Sequence, residues 1–121
     1  MTNREVINLF NALYTISKYD SLNVDVTTCF LLAKNKRTLE PLCQSILETR
    51  KVLFNKYGQP DRNDQIIVPQ QDVAAFTEEY DRLMNIPVDV ELNKIPIENL
   101  KGLKLKMDIM EDLLPIIEYK K

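Results

Sequence analysis

The sequence predicts an α+β fold, predominantly helical, with about four helices around one long helix near residues 26–57. A small sheet of two or three strands, near 65–68, 86–92 and 95–97, completes it. Three observations predict this. Apolar residues recur at three-, four- and seven-residue intervals from Cys29 to Tyr57 and stop at Gly58-Gln59-Pro60. Residues 86–92 alternate strictly, with Ile86, Val88, Val90 and Leu92 set between Pro87, Asp89 and Glu91. The chain of 121 residues is 45% hydrophobic and 28% charged, the composition and size of a single globular domain, 1–121.

Each element has its own signal. Thr2 and Glu5 form a capping box ahead of Val6, Leu9, Phe10, Leu13, Tyr14 and Ile16, which predicts an amphipathic helix over 3–18. Residues 17–23 read as a loop. Asp25 caps the long helix. Its inward residues are Cys29, Leu32 and Ala33, then Leu39, Leu42, Cys43, Ile46, Leu47, Leu53, Phe54 and Tyr57. Pro41 removes a backbone hydrogen bond and crowds the preceding turn, at a cost of about 3 kcal/mol. Either the helix is kinked there or it breaks at 36–38 with Thr38 capping a second helix; the uninterrupted apolar phase favours the kink. Gly58 is expected to end the helix in a left-handed cap, and Pro60 prevents its continuation.

Gln59 to Asp64 is turn chemistry. Residues 65–68 form a short strand stopped by Pro69. A helix from Gln70 or Gln71 to about Asn85 buries Val73, Phe76, Tyr80, Leu83 and Met84. The alternating 86–92 segment is expected to pair in parallel with 65–68, the helix between them acting as the crossover. Pro87 confines it to an edge. A second extended stretch brackets Pro96. A terminal helix carries Met107, Met110, Leu113, Leu114 and Ile117, bent or ended by Pro115.

Composition narrows the chemistry. There is no histidine, so the commonest general base and metal ligand is missing. Two glycines do not make a phosphate-cradling loop. Cys29 and Cys43 would lie about 21 Å apart on one helix, too far for a disulfide, and read as reduced core residues. Asp61, Asn63, Gln65 and Asp72 fall in a calcium-loop register, but Ile66 stands where glycine is needed. The carboxylate pairs Glu78-Glu79 and Glu111-Asp112 read as solvated helix faces. The expectation is a chain with no enzymatic activity, no cofactor and no metal.

Two surfaces stand out as contact candidates. Val88, Val90 and Leu92 mark an edge open to strand addition. Lys34, Lys36 and Arg37 form a basic patch, with no interleaved aromatic residue to stack a nucleic-acid base. Charge is also uneven. Residues 1–60 hold eight basic and five acidic side chains, net +3; residues 61–121 hold eight and thirteen, net −5. Such a distribution fits either two solvated faces or head-to-tail assembly.

The order of elements from the long helix onward resembles a widespread family of small tailed-bacteriophage proteins of unknown function. The matching positions are Lys56-Tyr57-Gly58, Asp61, Phe76, Glu79 and Leu83, then Val88, Val90, Ile97 and Leu100. The resemblance covers residues 26–117. The chain departs from the family at Pro41, where the family helix runs unbroken, and at Asn63-Asp64, where a glycine is common. The family brings no catalytic residues. The resemblance implies a protein of the virion or its assembly, contacting a phage structural protein or itself. The alternative is an early protein that blocks a host factor. The place implied is the host cytoplasm during infection, or the virion. The polar residues of the N-terminus and the lack of a long apolar run, rather than the resemblance, lead to the expectation of no secretion and no membrane span. No motif points to a small-molecule substrate or favours a nucleic-acid partner.

Overall fold

In the computed structural model, which describes residues 1–19, 23–60, 63 and 65–119, four helices account for most of the chain: α1 (Asn3–Ser17), α2 (Val26–Tyr57), α3 (Val73–Met84) and α4 (Met107–Leu113). The chain is therefore α+β and predominantly helical. Its β structure is two short pairs. β1 (Gln59–Pro60) and β2 (Ile66–Ile67) are antiparallel, with Gln59 opposite Ile67; β3 (Ile95–Pro96) and β4 (Ile117–Glu118) are parallel, with Ile95 opposite Ile117. Among the described residues no helix is long and apolar enough to cross a membrane.

α1 begins as its capping box requires. The Glu5 amide donates to Thr2 Oγ1 at 3.3 Å, and the Thr2 amide donates to Glu5 Oε1 at 3.1 Å. α2 starts on Asp25, whose carboxylate accepts the Thr28 amide at 2.9 Å. α2 runs continuously through Pro41. The alternative of a break at 36–38 is thereby removed: Thr38 caps nothing, and its hydroxyl donates to the Lys34 carbonyl at 3.0 Å. Pro41 is exposed. Its missing N–H frees the Arg37 carbonyl on the solvent side, where water can satisfy it.

Gly58 ends α2, but not through a left-handed cap. Its φ is −83° and ψ 152°, extended backbone open to any residue. Glycine is needed for a different reason. A Cβ there would collide with Ile66 Cγ2 and the Phe54 carbonyl, because β2 folds back tightly against the helix end. Gly102 meets the same requirement against the Asn23 backbone.

The core forms where α1, the first two thirds of α2, and the C-terminal segment meet. Leu9, Ile16, Leu39, Ile95, Leu113 and Ile116 are its largest fully buried side chains. On α2 the inward stripe is Thr28, Leu32, Asn35, Leu39, Cys43 and Ile46, at four- and three-residue steps that follow one helix face. That phase corrects three expectations. Cys29, Ala33 and Leu47 lie beside the stripe and are exposed. Cys29 and Cys43 are both free thiols, yet only Cys43 is buried. Tyr14 on α1 is likewise exposed, its ring capped by Lys18 and Lys36 ammonium groups at 4.8 and 5.6 Å from the centroid.

Two further corrections concern chain direction. The 86–92 segment does not pair with 65–68, which pairs instead with 59–60. Its one ladder contact is an isolated antiparallel bridge from Pro87 to Thr2. The period-2 pattern is expressed as burial from Val88 onward: Val88, Val90 and Leu92 pack partly against the core while Pro87, Asp89 and Glu91 face solvent, but Ile86, expected on the inward face, is exposed. At the C-terminus α4 stops at Leu113, and a 3-10 turn over Leu114–Ile116 takes up Pro115. That change of pitch turns Leu114 outward and brings Ile116 and Ile117 inward. Met107 and Val73, both expected inside, lie on exposed first turns.

Two buried asparagines tie the elements together. Asn3 Nδ2 donates to the Leu83 carbonyl at 2.8 Å, and its amide donates to the Ile86 carbonyl at 3.0 Å, joining α1 to the end of α3. Asn35 Oδ1 accepts the Asn93 amide at 2.8 Å, while Asn35 Nδ2 donates to the Asn93 carbonyl at 2.9 Å. The side chain thus acts as a strand neighbour would, holding the extended segment on α2. Asn35→Ala strands a backbone donor and acceptor beside the core. It should destabilise the fold by about 2–4 kcal/mol, two orphaned groups at roughly 1–2 kcal/mol each, read as a lowered urea midpoint at unchanged slope.

Candidate protein-contact surfaces

α2 is more than twice as long as any element that packs on it. At 1.5 Å per residue it spans about 48 Å, against about 22 Å for α1 and 18 Å for α3. The excess creates a distal arm: the end of α2, the β1–β2 hairpin and most of α3. From Leu47 to Arg82 no described residue is buried. The arm is held by a half-buried aromatic cluster. The Phe76 ring lies 5.0 Å from Phe54, 6.2 Å from Tyr57 and 5.9 Å from Tyr80, centroid to centroid.

Around that cluster the arm exposes Leu47, Val52, Ile66, Ile67 and Val73, with Val52 at 62% and both isoleucines at 51%. A depression of about 580 Å³ lies between α2 and β2, floored by Leu47, Phe54 and Ile66 and edged by Arg50 and Lys51. Periodicity alone hides this surface, because the apolar phase of α2 continues into a region where no second layer covers it.

A second surface lies at the opposite end of α2. Leu13, Ile16, Cys29, Leu32 and Ala33 line a groove of about 440 Å³ between α1 and α2. Lys36, Arg37 and Glu40 stand on its rim. Two members of the sequence-predicted basic patch are therefore brought to one apolar groove. Lys34 is exposed but does not line it. Lys18, from the end of α1, joins Lys36 over the Tyr14 ring.

The predicted edge is placed differently from expectation. Val88, Val90 and Leu92 are half-buried: they pack against the core and also line a surface depression. The Val88 amide donates to the Met1 carbonyl at 2.6 Å, and Asn93 is held by Asn35. Between these pins the backbone of residues 89–92 makes no hydrogen bond among the described residues. It borders a depression of about 490 Å³ shared with Met1, Lys94 and Pro115.

The carboxylate pairs separate into two roles. On α3, Glu78 accepts from Arg82 at 2.5 Å, and Glu79 accepts from Lys56 at 3.1 Å. The Tyr57 hydroxyl and the Lys56 ammonium hold the Glu79 carboxyl below its usual value of 4.5, and Glu79 in turn holds the Lys56 ammonium and the Tyr57 hydroxyl in their protonated forms to higher pH. This ties Lys56 and Tyr57 at the end of α2 to Glu79 on α3. On α4, burial and the neighbouring Asp108 and Glu111 push Asp112 up. Glu111 and Asp112 line a depression of about 420 Å³ with Glu5, Asn8, Leu114 and Pro115. In the core, burial pushes the Cys43 thiol up, so it stays protonated and unreactive at neutral pH.

The calcium register includes Asp61, which lies outside the described residues. Ile66 of that register is in β2, and Asp72 is in a 3-10 turn over Gln70–Asp72. Among the described residues no group of three or more potential ligands is gathered for a metal ion. No family model, curated protein or solved structure matches the chain.

Because the folded-state value of Glu79 is lowered, its contribution to stability is present above about 4.5 and is lost as pH falls through that lowered value. Glu79→Gln should therefore flatten the acid limb of the thermal midpoint between about pH 5 and 3 relative to the parent chain. Circular-dichroism melts across that window check this.

Proposed function

We propose that the chain is a phage-encoded protein that works by protein–protein contact rather than catalysis, as a component of the virion or of its assembly. One observation carries the contact reading: an arm of 47–82 without a buried described residue, exposing Val52, Ile66 and Ile67 around its aromatic cluster. A solitary domain gains little from ordering a segment whose apolar side chains stay wet, since burial contributes about 25 cal/mol per Å². A partner covering that surface supplies the missing layer.

The phage setting is supported by the order of elements that resembles the tailed-phage family, from Lys56-Tyr57-Gly58 through Ile97 and Leu100. The absence of histidine from the sequence supports a non-catalytic role. The backbone of residues 89–92 adds a smaller site for strand addition, through main-chain groups rather than through Val88, Val90 and Leu92.

The test is affinity capture of the tagged chain from infected cells, with mass spectrometry of purified particles and assembly intermediates. The expected outcome is a phage head or tail protein as main partner, with Val52→Lys and Ile66→Lys each weakening capture at least tenfold. Absence from particles and intermediates, with a host enzyme as main partner, would replace the assembly role by inhibition of a host factor.

A further inference from the structure

Two surfaces at opposite ends of α1 are matched in charge and in apolar content. At the C-terminal end of α1 lies the groove floored by Leu13, Cys29, Leu32 and Ala33, with Lys36, Arg37 and one carboxylate, Glu40, on its rim and Lys18 beside it, so that cations outnumber anions three to one. Next to it on α2 are two strongly exposed apolar residues, Val26 at 83% and Phe30 at 62%. At the N-terminal end of α1 lies the C-terminal end of α4, whose Glu111 and Asp112 share a depression with Glu5, Asn8 and Leu114. Leu114, just past the end of α4, is 51% exposed there, and Met107, the first residue of α4, is 80% exposed. Glu5 lies beside Asp112, and Asp108 and Glu111 are close enough to crowd its carboxyl.

We propose that the chain assembles head to tail, the acidic α4 face of one copy seated in the basic α1–α2 groove of the next; this rests on the protein-contact reading above. Met107 and Leu114 enter the groove and meet Phe30 and Ala33, while Asp108, Glu111 and Asp112 face Lys36, Arg37 and Lys18. A second copy is the occupant because this chain itself carries the complement.

The charges on both sides are available. The ion pairs among the described residues are Arg4–Asp81, Lys56–Glu79 and Arg82–Glu78, and none of them uses a groove cation or an α4 carboxylate. Crowding of Asp108, Glu111 and Asp112 is relieved when cations approach, and the same crowding opposes pairing two α4 faces with each other. The two surfaces are different patches, about 18 Å apart along α1 from Glu5 to Ser17. The contact is therefore heterologous, and it builds a ring or an open filament rather than a closed dimer.

The test is sedimentation of the whole chain at rising concentration, with two charge-reversed variants and their mixture. One variant carries Lys36→Glu and Arg37→Glu; the other carries Asp108→Lys and Glu111→Lys. Arg37, Asp108 and Glu111 are exposed and Lys36 is half-buried, so circular dichroism checks the fold. The parent chain should grow in mean mass beyond a dimer, and should lose at least tenfold in association between about 0.05 and 0.5 M salt. Each variant alone should stay monomeric, because its two surfaces then carry like charge. Mixed in equal amounts they should assemble again, since the acidic groove of one accepts the basic α4 face of the other. A parent chain monomeric at millimolar concentration, a dimer that does not grow, or a mixture that stays monomeric overturns the proposal. Capture of a phage structural protein by a monomeric chain would leave the contact reading standing and remove this one.

Discussion

The length of α2 is the constraint on which the rest of the structure depends. A helix of 32 residues cannot be covered by partners of 15 and 12. The chain resolves this by concentrating its core at one end. α1 and the C-terminal segment pack on the first two thirds of α2, which carry Leu32, Leu39, Cys43 and Ile46. Beyond Ile46 only α3 and a hairpin of two-residue strands remain, and no α2 residue there is buried. One helix therefore runs through two environments: a dry interior and a wet aromatic seam.

Polar side chains hold the dry end in register. Asn35 is 0% exposed and Asn3 8%. Each is satisfied by backbone groups from segments far away in sequence, so each fixes where one element crosses another. Apolar packing alone tolerates sliding; a two-way amide pair does not. Thr28 is the exception, buried with no partner for its hydroxyl among the described residues.

The helices were legible in the sequence because their signals are local. The Thr2–Glu5 box, Asp25 and the Gly58 stop fix boundaries within a few residues of where they act. The sheet was not, because a two-residue ladder has almost no local signature and Pro60 argues against one. In residues 86–92 the alternation reported which side faces the core, and that side was right for Val88, Val90 and Leu92. It carried no information on which backbone they would meet. Asn35 shows a signal that was present and easily passed over. It lies in phase with Leu32 and Leu39, yet sits within Lys34–Arg37 and reads as surface. The groove beside Lys36 and Arg37 required knowing that α1 ends at Ser17 against Cys29 and Leu32, which is a tertiary fact.

The surfaces follow from the same constraint. A fold that spends its interior on one end leaves apolar area at the other, and such area is where partners bind. The central claim is that α2 is stabilised unevenly along its length. Native-state hydrogen exchange tests it most directly. In the isolated chain at low concentration, amides from Leu32 to Ile46 should exchange only through the highest-energy openings. Those from Arg50 to Tyr57 and across α3 should exchange at least about a hundredfold faster, a difference of about 2.7 kcal/mol. Uniform protection along all of α2 would contradict the account, since it would mean that the distal third needs no further cover.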